Sequence, residues 1–272
     1  MSARPALLVI AGHDPSSGPR GYAGVRADEE GVQDGARAAG VADVELRTVV
    51  TAWTDQDDRA VRSLGARPAS EWLAEARTAA TGLAAVKIGL LPGKEHVLAV
   101  AEFIRELRSD APELPIVLDP ILASSSGEEF LGAEAWTLLL SEVLPQGIVL
   151  TPNLPEARIL SGGALAPDPD SSACRLRYAE VLLARGARAV VLKGGHGGED
   201  PLLNLVLGRR AEVTWLRLAR ERGSMRGTGC RFASTLAVCL GLGFSLQEAA
   251  RVAGECVLQR MAKRKSGGLV EG

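Results

Sequence analysis

The chain has 272 residues, of which 46% are hydrophobic and 24% are charged, and its formal net charge is −2. These values are typical of a globular protein and exclude a disordered or fibrous chain. The longest basic run is the short Lys263-Arg264-Lys265 segment, so neither nucleic acid nor an anionic membrane surface is expected as the main partner. We expect one domain over residues 1–272, because α/β domains of this length are common.

The cysteines and histidines indicate which metal and redox chemistry to expect. Cys174, Cys230, Cys239 and Cys256 are scattered without a Cys-x-x-Cys pair, which favours reduced thiols over a zinc site or a disulfide framework. Because the sequence has three histidines in all, we do not expect a multi-histidine metal site. No apolar segment reaches the roughly 18 residues that a membrane span requires. We therefore expect a cytoplasmic protein.

Short apolar runs alternate with amphipathic segments along the chain. The predicted strands are, in order, residues 7–10, 44–52, 85–88, 116–118, 148–150 and 189–192, followed by a hairpin of residues 202–207 and 211–218. The predicted helices are one beginning near Asp28, residues 70–80 capped by Ser70, residues 95–107, residues 133–143, one opened by Pro155, residues 172–185, and two final helices, the second with a capping box from Ser245 to Glu248.

This alternation predicts βαβ units, and hence a mostly parallel sheet covered by helices on both faces. In such sheets, ligands bind at the carboxyl ends of the strands. Polar and glycine-rich clusters follow the predicted strand ends at residues 12–14, 54–57, 119–120, 151–156 and 193–196. We therefore expect one edge of the sheet to carry the functional site.

The sequence lacks several standard catalytic and nucleotide-binding motifs. Residues 89–95 come nearest to a Walker A loop, but they are one residue short and end in Glu95. No dinucleotide fingerprint follows the first predicted strand, and neither Gly-x-Ser-x-Gly nor His-Glu-x-x-His occurs. A P-loop, a Rossmann site, a nucleophile elbow and a zincin site are therefore excluded.

A glycine-rich turn precedes the apolar run of residues 232–240. Gly227 and Gly229 allow a sharp turn, and a helix is predicted to begin near Cys230. The first N–H groups of a helix have no intrahelical partner and carry the positive end of its dipole, so they can hold a phosphate. The same field is expected to favour a thiolate at Cys230. A tight connection without catalytic function is the alternative.

Four further residues suit phosphoryl transfer, in which a protein mainly positions groups and neutralises charge. Asn153 and Glu156 lie on one face of a predicted helix start and could orient a magnesium ion through its waters; an ordinary first-turn carboxylate is the alternative for Glu156. Asp119 could join the same magnesium and phosphate network, or simply cap a turn before Pro120. Lys193 is placed to meet phosphate as a point charge.

Seven stretches, taken together, resemble the hydroxymethylpyrimidine and phosphomethylpyrimidine kinases of thiamine biosynthesis, which have the ribokinase-like fold. The matching stretches are residues 11–16 with Ala27-Asp28, 51–56, 87–90, 117–120, 151–157, 191–196 and 227–230. The resemblance implies a three-layer α/β/α fold with a mostly parallel central sheet and a small hairpin near the C-terminal third. It also implies an ATP-dependent phosphotransferase that needs Mg²⁺.

The resemblance assigns residue roles as well. On the transfer side it implies an anion hole formed by Gly227, Thr228 and Gly229, with Cys230 in the position of a base. On the substrate side it implies that Gln56 reads a pyrimidine ring in a pocket also lined by Gly12, Asp28 and Leu90. On the nucleotide side it implies that ATP is bound by Asp119, Asn153, Glu156 and Lys193, and that Glu156 and Asp119 contact Mg²⁺ through water. We also expect a homodimer.

Departures from the family pattern leave the substrate open. The loop of residues 15–27 is longer than the family's and inserts Pro19, Arg20 and Tyr22. Arg226 and Arg231 flank the glycine turn, where they would either strengthen phosphate binding or pair with acidic groups of the lengthened loop. The leading hypothesis is a kinase of hydroxymethylpyrimidine and/or its monophosphate. The alternatives are a pyridoxal-type vitamin kinase of the same fold, and a catalytically silent pyrimidine-binding regulatory protein.

Overall fold

In a computed structural model of the protein, the described residues are 4–15, 23–56, 61–123, 129–163, 170–195, 201–209, 213–221 and 225–267. Within them, nine strands form one sheet: β1 (Ala6–His13), β2 (Glu45–Gln56), β3 (Val61–Ala66), β4 (Leu83–Ile88), β5 (Ile116–Leu118), β6 (Val149–Leu150), β7 (Ala189–Leu192), β8 (Leu202–Gly208) and β9 (Val213–Leu218). The helices are α1 (Val25–Ala38), α2 (Ala69–Thr78), α3 (Lys94–Asp110), α4 (Ala133–Leu138), α5 (Leu154–Ser161), α6 (Ser172–Ala184), α7 (Thr228–Gly241) and α8 (Leu246–Gly267).

The sheet is mostly parallel, as predicted. Its strand order is β3-β2-β1-β4-β5-β6-β7-β8-β9, and every pair from β2 to β7 is parallel. Strand β3 and the hairpin of β8 and β9 add antiparallel edges on either side. The parallel strands therefore all end at the same edge of the sheet, which is where the predicted site residues follow them.

The two faces of the sheet carry separate apolar cores. Along β1, Leu8 and Ile10 pack into a core with α2 to α6, whereas Leu7 and Val9 pack into a core with α1, α7 and α8. This period-2 alternation, with both faces apolar, is typical of a parallel strand covered by helices on each side. The predicted three-layer α/β/α arrangement is confirmed.

Several predicted boundaries were wrong. Strand β2 runs on through Thr54 to Gln56, and the strand β3 that follows was missed because its sequence lacks a clear apolar alternation. Helix α2 begins at Ala69 after Pro68, so Ser70 is not its cap. The predicted helix of residues 133–143 is α-helical only to Leu138 and continues as a π-helical turn.

Two predicted helix starts hold in the structure. Asn153 caps α5, and Pro155 occupies its first turn. At α8, the Ser245 amide donates to Glu248 Oε2 at 3.1 Å and the Glu248 amide donates to Ser245 Oγ at 3.3 Å. This reciprocal pair is the predicted capping box.

Helices α1 and α7 pack with their backbones almost in contact. A Cβ added at Gly31 of α1 would lie only 2.6 Å from the carbonyl oxygen of Arg231 on α7. Thr235 of α7 donates its hydroxyl to the Gly31 carbonyl at 2.9 Å. The contact fixes the first turns of α7 relative to α1.

No helix in the described part of the chain is both long enough and apolar enough to cross a membrane.

The α1–α7 contact predicts a stability change. The variant Gly31→Ala should lower the free energy of unfolding by about 1–3 kcal/mol, because the added methyl meets backbone atoms that no side-chain rotation can move aside. Urea denaturation followed by circular dichroism measures this difference.

The matched control is Gly208→Ala. A Cβ there would meet only Leu246 at an ordinary 3.9 Å, so the free energy of unfolding should change by no more than about 0.5 kcal/mol. Equal stability of the two variants would contradict the close approach of α1 and α7.

Candidate active site

The N-terminus of α7 lies at the edge of the sheet where the parallel strands end. Gly227, its cap, has φ 68° and ψ 22°, a left-handed conformation that favours glycine. The Arg231 amide donates to the Gly227 carbonyl at 3.0 Å, which closes the first turn. The amides of Thr228, Gly229 and Cys230 precede that bond and have no intrahelical acceptor. The turn therefore has the geometry of an anion-binding helix terminus.

A buried ion pair lies directly beneath this turn. Lys193 Nζ donates to Asp119 Oδ1 at 2.7 Å, and Thr151 Oγ1 lies 3.4 Å from the same oxygen. A Cβ added at Gly229 would lie 3.2 Å from Lys193 Nζ and 3.3 Å from Asp119 Oδ2. Burial alone would lower the pKa of Lys193, but the carboxylates of Asp119 and Glu156 outweigh it and raise that pKa. Lys193 is therefore a stable cation beside the glycine turn.

Asn153 and Glu156 form a capping box at the start of α5. The Asn153 amide donates to Glu156 Oε2 at 2.8 Å, and the Glu156 amide donates to Asn153 Oδ1 at 2.9 Å. Glu156 is 6% exposed, and burial raises its pKa to about 7, with Lys193 opposing and Asp119 adding to the rise. One oxygen of each side chain is thus engaged in the helix cap, while both residues also line the cavity described below.

Lys87 is a part of the site to which the sequence predictions gave no role. Its ammonium lies 2.7 Å from Asp28 Oδ1, both side chains are fully buried, and Ser234 Oγ donates to the same oxygen at 2.7 Å. Burial would lower the pKa of Lys87, but Asp28, Cys230 and Asp119 together raise it. A lysine inside an otherwise apolar strand was the available signal, since lysine is almost never fully buried unless paired.

Cys230 behaves differently from the expectation based on the helix terminus. Burial raises the pKa of its thiol to about 11, an effect that outweighs the opposing influence of the Lys87 ammonium. The expected shift toward thiolate was therefore wrong in direction. Desolvation, which depends on the folded environment, dominates at this position.

The glycine turn and most of the side chains described above line one cavity of about 440 Å³ along the strand ends. At one end it is lined by Gly12, Thr54 and Leu90, which follow or lie on β1, β2 and β4. Its middle contains Lys87, Asp119, Lys193 and residues 227–230. Its far end, beside β8, β9 and α8, is lined mainly by the apolar side chains of Leu202, Leu218, Val257, Leu258 and Met261, together with Asn204, Arg220 and Glu221. The apolar end was not predicted.

The small-residue end of the cavity is closely packed. A Cβ at Gly12 would lie 2.6 Å from Leu90 Cδ2, so glycine is needed there for Leu90 to approach β1. Thr51 Oγ1 donates to the Leu90 carbonyl at 2.7 Å and fixes that loop. Asp28 does not line the cavity, because its carboxylate is paired with Lys87 instead. The Gln56 side chain, His196 and residues 16–22 lie outside the described residues.

The two flanking arginines pair with acidic groups. Arg226 Nη2 lies 2.8 Å from Asp14 Oδ2, and Arg231 Nε donates to Glu30 Oε2 at 2.7 Å. Neither arginine lines the cavity. Both arginines thus pair with carboxylates, but Asp14 and Glu30 lie on either side of the 15–27 loop, so the prediction that acidic groups of the loop would be the partners was wrong.

The carboxylates on the cavity wall are compatible with a magnesium ion that is held mainly by water and phosphate. The described residues contain no group of three or more His, Cys, Asp or Glu side chains that could hold a metal ion on its own. Mg²⁺ commonly keeps several waters and binds through one or two carboxylates together with substrate phosphates. Asp119 and Glu156 on the cavity wall fit that mode of binding.

Comparisons with known proteins agree with this geometry. The family profile described as phosphomethylpyrimidine kinase matches residues 15–270. A hydroxymethylpyrimidine/phosphomethylpyrimidine kinase of Rhizobium meliloti is 33% identical over 256 residues, which cover 90% of this chain and 86% of the relative.

Two solved structures are also similar. The phosphomethylpyrimidine kinase of Clostridium difficile has a TM-score of 0.73 and 25% identity, with 95% of this chain and all of that chain covered. The pyridoxal kinase of Staphylococcus aureus in complex with AMP-PCP and pyridoxal has a TM-score of 0.78 and 26% identity, with 94% of this chain and 87% of that chain covered. From the fold, the site and these matches together, the chain belongs to the phosphomethylpyrimidine kinase family, a family of phosphotransferases with the ribokinase-like fold.

Proposed function

We propose that this protein is an ATP-dependent kinase that phosphorylates hydroxymethylpyrimidine, its monophosphate or both in thiamine biosynthesis. The observation that carries this proposal is one continuous cavity in which an anion-binding turn lies between a small, closely packed end and a mainly apolar end. Two reactants bound at opposite ends would meet at residues 227–230. This is the arrangement that direct phosphoryl transfer between two substrates requires.

The small end is the proposed pyrimidine site. Gly12, Thr54 and Leu90 leave a narrow space beside the fully buried ammonium of Lys87. A heteroaromatic ring stacks well on apolar groups and offers hydrogen-bond acceptors to a few polar ones. Gln56, at the end of β2, is the residue that we propose reads the ring.

The opposite end is the proposed nucleotide site. Its apolar wall of Leu218, Val257 and Met261 suits a purine base, while Asn153 and Lys193 lie toward the phosphates. We propose that Glu156 and Asp119 meet Mg²⁺ through its waters. A bound magnesium ion would neutralise phosphate charge at this position.

In transfer to the hydroxymethyl group, the substrate hydroxyl oxygen forms a bond to the terminal phosphorus of ATP, and the bond from that phosphorus to the bridging oxygen breaks, so that ADP leaves. The amides of Thr228, Gly229 and Cys230 face the charge on the transferred group. The hydroxyl proton passes to the sulfur of Cys230, which we propose as the base. Because burial raises the pKa of Cys230 to about 11, only a small thiolate fraction is present at neutral pH.

A pyridoxal-type substrate is the second candidate. The pyridoxal kinase of Staphylococcus aureus matches this chain with the higher of the two TM-scores, so the fold does not separate the two vitamin precursors. We further propose that the chain acts as one kinase domain, in a cytoplasmic homodimer.

Substrate choice can be tested directly. The purified protein with ATP and Mg²⁺ should convert hydroxymethylpyrimidine, its monophosphate or both to a phosphorylated product, and should leave pyridoxal unchanged, when products are resolved by mass. Phosphorylation of pyridoxal alone would contradict the proposed substrate. Saturable pyrimidine binding without any product would instead support the silent binding protein.

The role of Cys230 predicts a kinetic and a pH effect. The variant Cys230→Ala should lower kcat by about 10²–10⁴-fold, the usual contribution of a general base. In the wild type, kcat/KM should rise with pH between pH 6.5 and 9.5, because the reactive thiolate becomes more abundant toward its pKa of about 11. The slope should disappear in Cys230→Ala.

The matched control for this test is Cys239→Ala, a change to a fully buried thiol on the same helix that does not line the cavity. Its kcat should stay within about twofold of the wild-type value, as for substitutions away from the reacting groups. Near-normal turnover by Cys230→Ala would remove Cys230 from the role of base.

Burial of Glu156 predicts a titration near neutrality. The ¹³C carboxyl resonance of Glu156, assigned by its loss in Glu156→Gln, should show a midpoint at about pH 7. The pKa of Glu156 is higher in the folded state than in the unfolded state. Glu156 therefore contributes to the free energy of unfolding below about pH 4.5, and this contribution is lost as the pH rises through 7.

Adding Mg²⁺ with AMP-PCP should move this midpoint downward, because a nearby cation favours the carboxylate. AMP-PCP without Mg²⁺ is the control. If the midpoint is the same with and without the metal, Glu156 does not take part in holding Mg²⁺.

A further inference from the structure

We propose that the ion pair between Arg226 and Asp14 positions the phosphate-binding turn relative to the substrate end of the cavity, which makes Arg226 a positioning residue of the phosphotransferase reaction. Arg226 comes immediately before Gly227, the cap of α7. Asp14 comes immediately after β1, two residues beyond Gly12 on the cavity wall. One side-chain contact therefore links the two segments between which transfer takes place.

This ion pair is shielded from solvent. Arg226 Nη2 and Asp14 Oδ2 are 2.8 Å apart, with side chains that are only 10% and 0% exposed. Water and salt screen such a pair far less than they screen a surface pair. Loss of Arg226 would remove a cationic partner from the fully buried Asp14 carboxylate, which is more disruptive than loss of an exposed contact.

The turn is also held from its other side. The carbonyl of Arg226 accepts a hydrogen bond from Arg231 Nη1, and Arg231 in turn contacts Glu30 of α1. Glu30 also lies 3.2 Å from Arg260 of α8. The side chain of Arg226 therefore holds the turn to β1, while its carbonyl is linked through Arg231 to α1 and α8.

Direct phosphate binding by Arg226 does not fit this geometry. The residue does not line the cavity, and its guanidinium is directed to Asp14. Its effect on turnover would pass through the placement of Gly227 and the amides that follow. Because a displacement of about 1 Å can reduce a rate about 10²-fold, a contact outside the cavity can still control kcat.

The kinetic test uses Asp14→Asn, Arg226→Gln and the double variant. Turnover is measured with the pyrimidine substrate, so this readout rests on the proposed function. Each single change should lower kcat about 10–100-fold, with KM for ATP within about threefold, because misplacement harms the transition state more than binding. The double variant should be no slower than the slower single variant. Arg226→Lys, which keeps the charge, should recover at least part of the lost kcat.

The control variant is Arg77→Gln, which breaks ion pairs with Glu102 and Glu106 between α2 and α3, away from the cavity. Its kcat should equal that of the wild type even if its melting temperature falls. The proposal is overturned if Arg226→Gln lowers the melting temperature but leaves kcat per folded molecule unchanged. Multiplication of the two single losses in the double variant would also overturn it.

A second readout needs no substrate. The Arg231 amide, bonded to the Gly227 carbonyl at 3.0 Å, should exchange its hydrogen at least about tenfold faster in Arg226→Gln, because the turn opens more often. The Ala249 amide, bonded to the Ser245 carbonyl at 2.9 Å in the equivalent turn of α8, should be unaffected. Unchanged exchange at Arg231 overturns the positioning role, whereas failure of the wild type to phosphorylate a pyrimidine contradicts only the proposed substrate.

Discussion

The ion pair between Asp119 and Lys193 is the constraint around which the site is arranged. It connects the ends of β5 and β7 across β6, and it lies so close beneath the α7 turn that a methyl group at residue 229 would contact both charged groups. A side chain at position 229 would therefore crowd both charged groups, whereas the left-handed conformation of the turn favours glycine at position 227. The absence of a side chain at residue 229 lets the helix terminus lie close to the strand ends without displacing either charged group.

Two aspartate–lysine ion pairs lie in this region, and they differ in which partner lines the cavity. Lys193 and Asp119 both line the cavity, whereas Lys87 lines it while its partner Asp28 does not. The ammonium of Lys87 thus lines the cavity, whereas the carboxylate of Asp28 lies behind it. Together with the amides of the α7 turn, the ammonium groups of Lys87 and Lys193 offer hydrogen-bond donors to an anionic reactant in the middle of the cavity.

The sequence predicted the parallel sheet, and it predicted that most of the candidate site residues lie at one edge of that sheet, because both depend on local patterns. Apolar runs followed by polar clusters mark strand ends wherever they occur, and Gly227 and Gly229 before an apolar helix are likewise local. The edge strand β3 was missed because it lacks an apolar face of its own. The start of α2 was misplaced because Ser70 resembles a cap, although Pro68 already ends the preceding segment.

The features that could not be predicted depend on partners distant in the chain. Lys87 acquires its role from Asp28 and Ser234, and the pKa of Cys230 depends on how completely it is buried. The partners of Arg226 and Arg231 could not be predicted either, because a sequence does not show whether a guanidinium faces a ligand or a carboxylate. Residue types indicated the chemistry, but only the packing determined which charges meet.

The burial of Cys230 has a consequence for the resistance of the site to oxidants. Peroxides react with the thiolate form of cysteine, and susceptibility follows thiolate character and exposure. Cys230 is 8% exposed, and its raised pKa keeps it protonated at neutral pH. The cysteine in the cavity is therefore protected from conversion to sulfenic acid by the same desolvation that raises its pKa.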